Sequence, residues 1–597
     1  MRSLDPEEDK NEDAYEEEYK QRELSFVRGM TTRRVRIEFC IEGVRRGILN
    51  KDFFSPIFPE ADKRVTETLV EDCYPVTLMP GQTRLYLDFC SGSLGRFLPP
   101  VENWLQRPAV PAHWPELVKL IAAQNPGDGA TPALEALAAG AGTVVTGQQV
   151  TLFGGQLYTP FKMATTVARA RQATRSGRAH VPIFWLATED HDFAEVSHAD
   201  FPLRREMERL VYPGTPEVAR PAGAIVLDES IVPLIERAMQ FMGASEAADI
   251  LAAAYKPGRT FAEAFAEFYV KVFAAQGLLV LDASGREFHR LGAPVLRAGI
   301  ERADELHEAL LERNRALEAA GYHAQVSVTD QSSLLFLIDD QTGARVALKR
   351  IPKNAAEPAG IWQAGSRKYS TADLIGILDA EPERISPSAL LRPVFQDSLL
   401  STSLIVGGPA EIAYFAQSAV LYEKILGRQT PAAGRFSGTL IEPAVGDLMR
   451  KHSLPLERIF DETADSLAKL LAEHAMPAEG RRRLIEAGKA LDTELAALVD
   501  WLRNQDAGLG KSAETAASKM EYQMSRLRAM AETFQLQKES SLAKQAQTIS
   551  LGIYPGGVMQ ERVHAAAYYF GRYGLELAET LTGQAEKTCT GHTVIWL

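Results

Sequence analysis

Short apolar segments that alternate with stretches of helical periodicity constrain the fold of this chain more than any other feature. The apolar segments are GTVVTG (142–147), VPIFWLA (181–187), GLLVLDAS (277–284) and LLSTSLIVGGP (399–409), and the helical stretches are 161–177, 261–276 and 410–427. Buried strands joined through helices are typical of a parallel sheet that is covered by helices on both faces. We therefore predict an α/β fold for the main part of the chain.

A second pattern, with apolar residues at alternating three- and four-residue spacings, predicts a helical domain after residue 455. One series is Leu484, Leu491, Leu495, Leu498 and Leu502, with Gly488 at the missing position, and the other is Ala513, Ala517, Met520, Met524, Leu527, Ala531 and Phe534. Joined by the Gly-containing segment NQDAGLG (504–510), they predict an antiparallel coiled-coil hairpin. We expect this hairpin to mediate dimerisation, and a helical pair folded back on its own domain is the alternative.

The length of 597 residues exceeds what one hydrophobic core usually serves. We predict an N-terminal extension over 1–78, a core with connecting insertions over 79–455, the helical domain over 456–550 and a segment over 551–597 that packs back on the core. The extension begins with acidic and basic residues that cannot bury enough surface to order themselves. A start codon at Met79 and a partner-binding arm are alternative interpretations of the extension.

Composition restricts the partners of the chain. With 65 basic and 78 acidic residues the net charge is −13, which argues against nucleic acid as the main partner. No apolar run approaches the roughly 20 residues that span a bilayer, so we expect no membrane association. The four cysteines contain no C-x-x-C pair, which is typical of a reducing cytoplasm and predicts neither a disulfide framework nor a thiolate zinc site. We expect a cytoplasmic protein without a bound metal.

Polar residues follow three of the apolar segments, at the strand ends where parallel sheets bind ligands. The first group lies in TGQQVTLFGGQLYTPFK (146–162), where glycines allow close backbone approach and a helix N-terminus offers N–H groups to an anion. Its candidate binding residues are Thr146, Gly147, Gln148, Gln149, Gly155, Tyr158 and Lys162. The alternative is a tight strand-to-helix turn whose glycines serve packing.

The second group, Glu189, Asp190, His191 and Asp192, directly follows VPIFWLA. A histidine flanked by carboxylates is suited to act as a general base, so His191, Asp190 and Asp192 are the candidate catalytic residues. The acids could instead hold a substrate ammonium, for which Glu189 is a candidate, or a metal ion. The structural alternative is a surface loop in which Asp192 caps the next helix.

The third group surrounds the segment LLSTSLIVGGP. Its candidate binding residues are Arg392, Gln396, Gly408, Glu411 and Tyr414. A helix dipole alone would favour an acid in the first turn, which is the structural alternative for Glu411. Tyr414 and Tyr158 could equally be core residues with hydrogen-bonded hydroxyls.

Five strings occur together and in order: VTGQQVTLFGGQLYTPFK, VPIFWLATEDHDFAEVSH, RPVFQDSLL, GGPAEIAYFAQ and YPGGVMQERV. In this combination the chain, from about Leu85 onward, resembles the bacillithiol biosynthesis cysteine-adding enzymes. It departs from that family at Gly155–Gln156 and Leu400–Ser401, where the family has Gly-Pro and Leu-Pro. It also lacks the His-x-Gly-His and Lys-Met-Ser-Lys-Ser signatures of synthetases.

The resemblance implies a Rossmann-like core akin to class I aminoacyl-tRNA synthetases, with insertions and a coiled coil through which two copies form a homodimer. It implies a ligase that forms a carbon–nitrogen amide bond between L-cysteine and glucosaminyl-malate, in the last step of bacillithiol synthesis. By analogy with synthetases, ATP would activate the cysteine carboxylate as an acyl-adenylate.

On this hypothesis His191, oriented by Asp190 or Asp192, deprotonates the glucosamine amine. Arg392 and Lys162 would bind the malate carboxylates, and the adjacent glutamines of the first group would hold a phosphate or carboxylate. Two other interpretations stay open at this stage. One is a non-catalytic dimeric scaffold with a degenerate core, and the other is a synthetase-like nucleotidyltransferase that acts on another substrate.

Overall fold

The structure is a computed structural model that describes residues 73–99, 104, 108–351, 360–587, 589 and 591–597. The predicted N-terminal extension falls almost entirely on residues 1–72, which lie outside the described part of the chain. Its predicted lack of order therefore stays a prediction, as do the boundaries of the four predicted segments.

The described strands form a central parallel sheet with smaller sheets around it. The central sheet is five-stranded, with the strand order β14-β13-β2-β3-β6, and each neighbouring pair is parallel. In chain order the strands are β1 (Cys73–Tyr74), β2 (Gly142–Gln148), β3 (His180–Leu186), β4 (His198–Pro202), β5 (Met207–Val211), β6 (Leu279–Asp282), β7 (Leu335–Ile338), β8 (Arg345–Ala347), β9 (Lys349–Arg350), β10 (Ile361–Ala364), β11 (Arg367–Ser370), β12 (Ile385–Pro387), β13 (Thr402–Gly407), β14 (Ala432–Gly434), β15 (Ser437–Ile441) and β16 (His592–Trp596).

The four apolar segments of the sequence form β2, β3, β6 and β13, which confirms the predicted α/β fold. Side chains of β3 alternate between two apolar cores: Phe184 and Leu186 face one, and Ile183 and Trp185 face the other. A strand needs apolar side chains on both faces only when both faces are covered. This is why VPIFWLA is continuously apolar rather than alternating.

The helices cover both faces of this sheet. In chain order they are α1 (Arg84–Cys90), α2 (Trp114–Gln124), α3 (Thr131–Ala138), α4 (Tyr158–Arg175), α5 (Phe193–Val196), α6 (Ile231–Met242), α7 (Glu246–Ala254), α8 (Phe261–Val272), α9 (Arg286–Glu301), α10 (Ala303–Ala319), α11 (Thr371–Ala380), α12 (Arg392–Leu400), α13 (Pro409–Leu426), α14 (Pro443–His452), α15 (Leu456–Phe460), α16 (Ala464–Ala475), α17 (Ala478–Gln505), α18 (Ala507–Lys538), α19 (Ser541–Ile553), α20 (Ala566–Tyr573) and α21 (Leu577–Glu586). Within the described residues, no helix combines the length and the apolar character needed to cross a membrane.

Helices α4, α8 and α20 share one core with Phe184, and helices α2, α3 and α12 share the other core with Trp185. The C-terminal segment thus contributes to the core of the sheet: Tyr569 and Phe570 of α20 are buried with Phe161 of α4. Residues far apart in the sequence therefore stabilise one layered structure.

The C-terminal strand β16 is paired on both sides. It is parallel to β15 and antiparallel to β1, and a disulfide joins Cys73 of β1 to Cys589, which precedes β16. The expectation that the chain has no disulfide is therefore wrong. The two cysteines are 516 positions apart, so only the pairing of β1 with β16, and no spacing in the sequence, brings them together. Cys90 is free.

Helices α17 and α18 form the antiparallel hairpin that the two apolar series predict, with a shorter turn. Helix α17 ends at Gln505, and the Asp506 side chain caps α18 by accepting a hydrogen bond from the Leu509 N–H at 2.9 Å. Gly508 and Gly510 lie inside α18 and do not form a loop. The expected Gly-containing turn is thus replaced by a single capping residue.

The apolar seam between α17 and α18 is narrower than the sequence pattern predicts. Leu495, Val499 and Ala517 are buried in it, and the Arg528 guanidinium fills the space next to Gly488. Other members of the predicted seam are exposed instead: Leu498, Met520, Leu527 and Phe534. A straight helix has 3.6 residues per turn, whereas the apolar series repeats every 3.5 residues. The apolar positions therefore drift around the helix, and only some of them reach the partner helix. Leu491 and Ala513, also members of the predicted series, are partly buried against this seam.

Candidate active site

A cavity of about 470 Å³ opens at the carboxyl ends of β2, β3 and β13. This is the edge at which open parallel sheets bind ligands. The structure brings together most of the predicted site residues here, namely Gly147, Gln148, Gln149, Tyr158, Lys162, Glu189, Asp190, His191, Arg392, Gly408, Glu411 and Tyr414.

Four predicted residues do not line the cavity: Thr146, Gly155, Asp192 and Gln396. The Thr146 hydroxyl donates to the Val406 carbonyl at 2.8 Å and links two neighbouring strands. Gln396 is fully buried and supports the cavity from behind. Thr146 and Gln396 thus shape the sheet edge without reaching a ligand.

The glycine turn before α4 belongs to the apolar core. Tyr255 Oη accepts a hydrogen bond from the Gly154 N–H at 3.0 Å, and Tyr269 Oη donates to the Gly154 carbonyl at 2.5 Å. A Cβ atom at Gly154 would lie 2.8 Å from Phe268 Cε1, and Gly155 has a φ of +72°. The assignment of Gly155 as a ligand-binding residue is therefore wrong, because these glycines allow tight packing and a left-handed turn.

Lys162 is fixed by three acceptors and is only 3 % exposed. Its Nζ forms an ion pair with Glu411 and donates to the Gly147 carbonyl at 2.9 Å and to Gln148 Oε1 at 2.7 Å. An ammonium group has three N–H donors, and all three are used. Lys162 therefore ties β2 to α13, and the expectation that it binds a substrate carboxylate is wrong.

The cavity wall that follows β3 is acidic. Gln149 Nε2 donates at 2.8 Å to both Asp190 Oδ2 and Glu195 Oε2, and Glu189, which is half-buried, is a third acid in this wall. The Asp190 and Glu195 carboxylates share one neutral amide donor, which offsets their mutual repulsion only in part. This wall of the cavity therefore favours a cationic ligand. Among the described residues, no three His, Cys, Asp or Glu side chains are grouped so as to hold a metal ion.

A histidine that the sequence analysis did not single out lies behind this wall. His289 of α9 is fully buried, and its Nε2 lies 3.2 Å from Glu189 Oε1. Its Nδ1 lies 3.0 Å from the Ile385 carbonyl oxygen and 3.2 Å from that of Pro382, so Nδ1 must carry a proton. Burial lowers the pKa of His289, but the Glu189 carboxylate and the two carbonyls outweigh this effect and raise it overall. The contact with His289 fixes the position of the Glu189 carboxylate.

His191 faces a cation rather than the carboxylate that was expected to orient it. Arg345 Nη1 lies 3.2 Å from His191 Nδ1, whereas Asp190 Oδ1 is 3.8 Å away. Because a guanidinium only donates, Nδ1 accepts, and the neutral ring carries its proton on Nε2. The exposed Asp192 carboxylate accepts a hydrogen bond from the Glu195 N–H at 3.1 Å and caps α5. The expectation that Asp190 or Asp192 orients the ring is wrong.

Arg345 is held rigidly on its own strand β8. Its Nε donates to Ser386 Oγ at 2.9 Å and its Nη2 to the Pro387 carbonyl at 2.9 Å, while its guanidinium carbon lies 3.7 Å above the centre of the Phe336 ring. Every nitrogen of the guanidinium, including the one that faces His191, thus has a neutral partner. Arg345 positions His191 and does not reach for an anion.

Three further arginines among the described residues line the cavity, Arg392 of α12, Arg435 and Arg562, and we call them its basic wall. Arg392 Nη1 donates to Gln396 Oε1 at 3.0 Å and Nη2 to Tyr414 Oη at 3.1 Å, and both acceptors are neutral. Burial raises the pKa of Tyr414, so its hydroxyl stays protonated. Glu411 accepts a hydrogen bond from the Gly408 N–H at 2.8 Å, so it caps α13 besides pairing with a lysine.

A buried ion pair joins this cavity to the C-terminal segment. Arg435 Nη2 lies 2.6 Å from Glu561 Oε1, and each side chain is 4 % exposed. Glu561 also accepts hydrogen bonds from the Ser437 hydroxyl at 2.9 Å and the Gly438 N–H at 3.0 Å. Burial raises the pKa of Glu561, but Arg435 outweighs this and lowers it to about 2. The charge of Arg435 is therefore balanced within the protein.

Sequence reasoning missed several lining residues, namely Trp185, Glu195, Phe336, Arg345, Arg435 and Arg562. Trp185 and Glu195 lie in the string VPIFWLATEDHDFAEVSH and Arg562 lies in YPGGVMQERV, so those strings carried a usable signal. Phe336 and Arg345 come from the short antiparallel strands β7 and β8, in which the sequence shows no motif. Only the fold places them at the cavity.

Comparison with known proteins gives one consistent result. Residues 106–432 match the family described as "Bacillithiol biosynthesis BshC, N-terminal Rossmann-like domain", and residues 438–597 match its "C-terminal coiled-coil domain". A protein of Koribacter versatilis named "Putative cysteine ligase BshC" is 38% identical over 541 residues, which are 88% of this chain and 100% of that protein.

Two further relatives carry the same name. The protein of Solibacter usitatus is 34% identical over 491 residues, 80% of this chain and 88% of that protein. The protein of Salinibacter ruber is 31% identical over 459 residues, 76% of this chain and 82% of that protein. The family matches cover the core with its cavity and the helical hairpin alike. This chain belongs to the BshC family of bacillithiol biosynthesis.

Proposed function

We propose that this protein is a ligase that joins the carboxyl group of L-cysteine to the amine of glucosaminyl-malate through an amide bond, as the last step of bacillithiol synthesis. The observation that carries the proposal is the bipolar cavity, with an acidic wall after β3 and a basic wall of Arg392, Arg435 and Arg562. Membership of the BshC family and the ligase names of the relatives support the same reaction.

The charges of the two substrates match the two walls. Glucosaminyl-malate carries an amine at one end and two carboxylates at the other, and cysteine carries an ammonium and a carboxylate. An ammonium next to Glu189 and Glu195 relieves the crowding of negative charge there. A carboxylate next to Arg392 meets a guanidinium whose described partners are neutral. The cavity therefore orients both substrates by charge.

Amide formation requires the attacking amine to lose a proton, and Glu189 is the acceptor that the geometry favours. One of its carboxylate oxygens faces buried His289 at 3.2 Å, and its side chain is part of the cavity wall. His191 is less suited to this step, because Arg345 occupies its Nδ1 and leaves a proton on Nε2. We assign His191 the role of a hydrogen-bond donor to the substrate.

The cysteine carboxyl group has to be activated before the amine can displace its leaving group. ATP is the donor that we propose, by analogy with synthetases. The residues expected to hold its phosphates fit this role poorly: the turn at Gly154–Gly155 is buried, and Lys162 has no donor to spare. A nucleotide would have to use the open part of the cavity, where Gly408, Pro409 and Ala410 begin α13.

The experiment that tests the function is a mass-spectrometric assay of the purified protein with cysteine, glucosaminyl-malate and ATP, each omitted in turn. We expect bacillithiol only in the complete mixture, together with AMP if the carboxyl group is activated as an adenylate. Bacillithiol without ATP would contradict the proposed donor. The absence of both product and glucosaminyl-malate binding would contradict the proposed substrate.

We also propose that two copies associate through the hairpin of α17 and α18. Its two helices expose many large apolar side chains, namely Ile485, Leu498, Trp501, Leu509, Met520, Tyr522, Leu527, Met530 and Phe534. A monomer rarely exposes so many large apolar residues on one element. The match of residues 438–597 to a coiled-coil domain supports the same partner, a second copy of this chain.

A further inference from the structure

Among the described residues, five cationic side chains line the cavity, and the structure accounts for the charge or for every nitrogen of three. Lys162 is paired with Glu411, and Arg435 is paired with Glu561. Arg345 donates from all three of its nitrogens to neutral acceptors. Arg392 differs from these, because it donates from two nitrogens only, to neutral Gln396 and Tyr414. The fifth cation is Arg562.

Arg562 has no such partner. Its side chain is exposed, and in the described part of the chain no carboxylate lies within ion-pair distance and no acceptor takes a hydrogen bond from its guanidinium. The positive charge acts on the hydroxyl of Tyr158, another cavity residue, and opposes the burial that raises the pKa of that hydroxyl to about 12. Because no carboxylate of the described residues pairs with it, the Arg562 guanidinium is available to bind an anionic ligand in the cavity.

The backbone at Arg562 is nevertheless firmly placed. Gln560 is fully buried, its Oε1 accepts a hydrogen bond from the Leu440 N–H at 2.8 Å, and its Nε2 donates to the Leu440 carbonyl at 2.8 Å. Glu561 is buried against Arg435. These neighbours fix the short helical turn Gln560–Arg562 on both sides, so the free guanidinium starts from a rigid base at the edge of the cavity.

We propose that Arg562 binds a carboxylate of the substrate and that, with Arg392, it forms a subsite for a dicarboxylate. Each of these two arginines has a guanidinium nitrogen without a hydrogen bond in the described structure, and neither is paired with an acid there. A planar guanidinium binds a carboxylate through two parallel hydrogen bonds. Two such groups on the basic wall match the two carboxylates of a malate unit, while the acidic wall takes the amine at the other end of the same molecule.

This inference rests on the proposed function for the identity of the ligand. A direct binding measurement tests the role of Arg562 independently of the proposed reaction. We would titrate glucosaminyl-malate into wild-type protein and the variants Arg562→Gln and Arg562→Lys by isothermal calorimetry, without ATP or cysteine. Loss of a charge-assisted contact predicts binding about 10- to 100-fold weaker in Arg562→Gln. Arg562→Lys keeps the charge without the planar fork, so an intermediate loss is expected.

The matched control is Arg315→Gln, which removes the same charge from an exposed position on α10 away from the cavity. It should bind glucosaminyl-malate within twofold of wild type. The affinity of wild-type protein should fall as salt is raised from 50 to 300 mM, and this dependence should be weaker in Arg562→Gln, because one screened charge pair is gone.

The outcomes are distinct. Equal affinities of wild type and Arg562→Gln would overturn the inference and leave the proposed function standing. Weaker binding by Arg562→Gln together with a failure of wild type to make bacillithiol would support the dicarboxylate subsite and overturn the ligase reaction. No binding of glucosaminyl-malate by wild type would overturn both.

Discussion

The imidazole of His289 lies directly behind the carboxylate of Glu189, with 3.2 Å between Nε2 and Oε1. His289 is fully buried, and Glu189 is part of the cavity wall. Because the carbonyls of Pro382 and Ile385 hold the other ring nitrogen, the ring cannot turn away. The pair therefore holds the Glu189 carboxylate in one position at the cavity wall.

Replacing Glu189 by Gln should remove the proton acceptor while conserving shape. We expect kcat to fall about 10²- to 10⁴-fold, the range typical of a lost general base. Steady-state formation of bacillithiol followed by mass spectrometry measures the effect. Glu229→Gln, at an exposed site outside the cavity, is the control and should keep wild-type activity. More than half of wild-type activity in Glu189→Gln would exclude the base assignment.

His289→Gln should change the pH dependence of stability. The pKa of His289 is raised in the folded protein, relative to about 6.5 in an unfolded chain. The ion pair therefore contributes its full stabilisation below pH 6.5, and the contribution is lost as the pH rises through the raised pKa. We would measure the free energy of unfolding in urea from pH 5.5 to 9. The difference in this free energy between wild type and His289→Gln should shrink as pH increases. A difference in the free energy of unfolding that is constant with pH would show that no titration of His289 is involved.

Gly154→Ala should destabilise the protein without weakening the binding of glucosaminyl-malate to the folded fraction. The backbone has φ +82°, and the new Cβ would meet Phe268 Cε1 at 2.8 Å, so we expect a loss of more than about 2 kcal/mol. Gly556→Ala is the control, because φ is +61° there with nothing within 4 Å, and about 1 kcal/mol is expected from backbone strain alone. Lost binding with unchanged stability would instead indicate a ligand loop.

The exposed apolar side chains of the hairpin should hold two copies together. Met520→Glu combined with Leu527→Glu places charges at positions that are 52 % and 54 % exposed in one chain, so the isolated fold should tolerate them. Analytical ultracentrifugation should show a dimer for wild type and a monomer for the double variant. Asn504→Glu, near the exposed tip of the hairpin, is the control and should stay dimeric. A monomeric wild type would refute the proposed association.

Chemical counting of thiols tests the disulfide. Denatured protein should show two more reactive thiols after reduction than before it, because Cys73 and Cys589 are bonded to each other. Cys90→Ser should leave this difference at two. Cys589→Ser should abolish it and lower the free energy of unfolding by about 2–4 kcal/mol. Identical counts with and without reduction would be incompatible with the bond.

The strands of the central sheet could be predicted because burial on both faces leaves a continuous apolar signature. Strand β14, with only Ala432, Ala433 and Gly434, has no such signature and was not predicted. It forms because β13 offers an unpaired edge next to it. Likewise the Cys73–Cys589 bond depends on strands that meet only in the folded chain.

The cavity was predicted well as a place and less well as a set of roles. The strand-end rule located Glu189, Asp190 and His191 correctly beside Arg392, since parallel strands end at one edge. It could not show that Lys162 is saturated by its neighbours, because hydrogen-bond partners depend on side-chain positions. It also could not identify His289, because this residue lies within helix α9 and belongs to none of the motifs at the strand ends.

The pair Arg435–Glu561 has a consequence for how this protein is made. Arg435 lies in the short stretch between the two family matches, which end at 432 and begin at 438, and Glu561 lies deep in the second match. During translation the basic side of the cavity therefore stays unfinished until the ribosome has passed residue 562. A gene divided between the two matched regions would encode two halves, neither of which contains a working pocket.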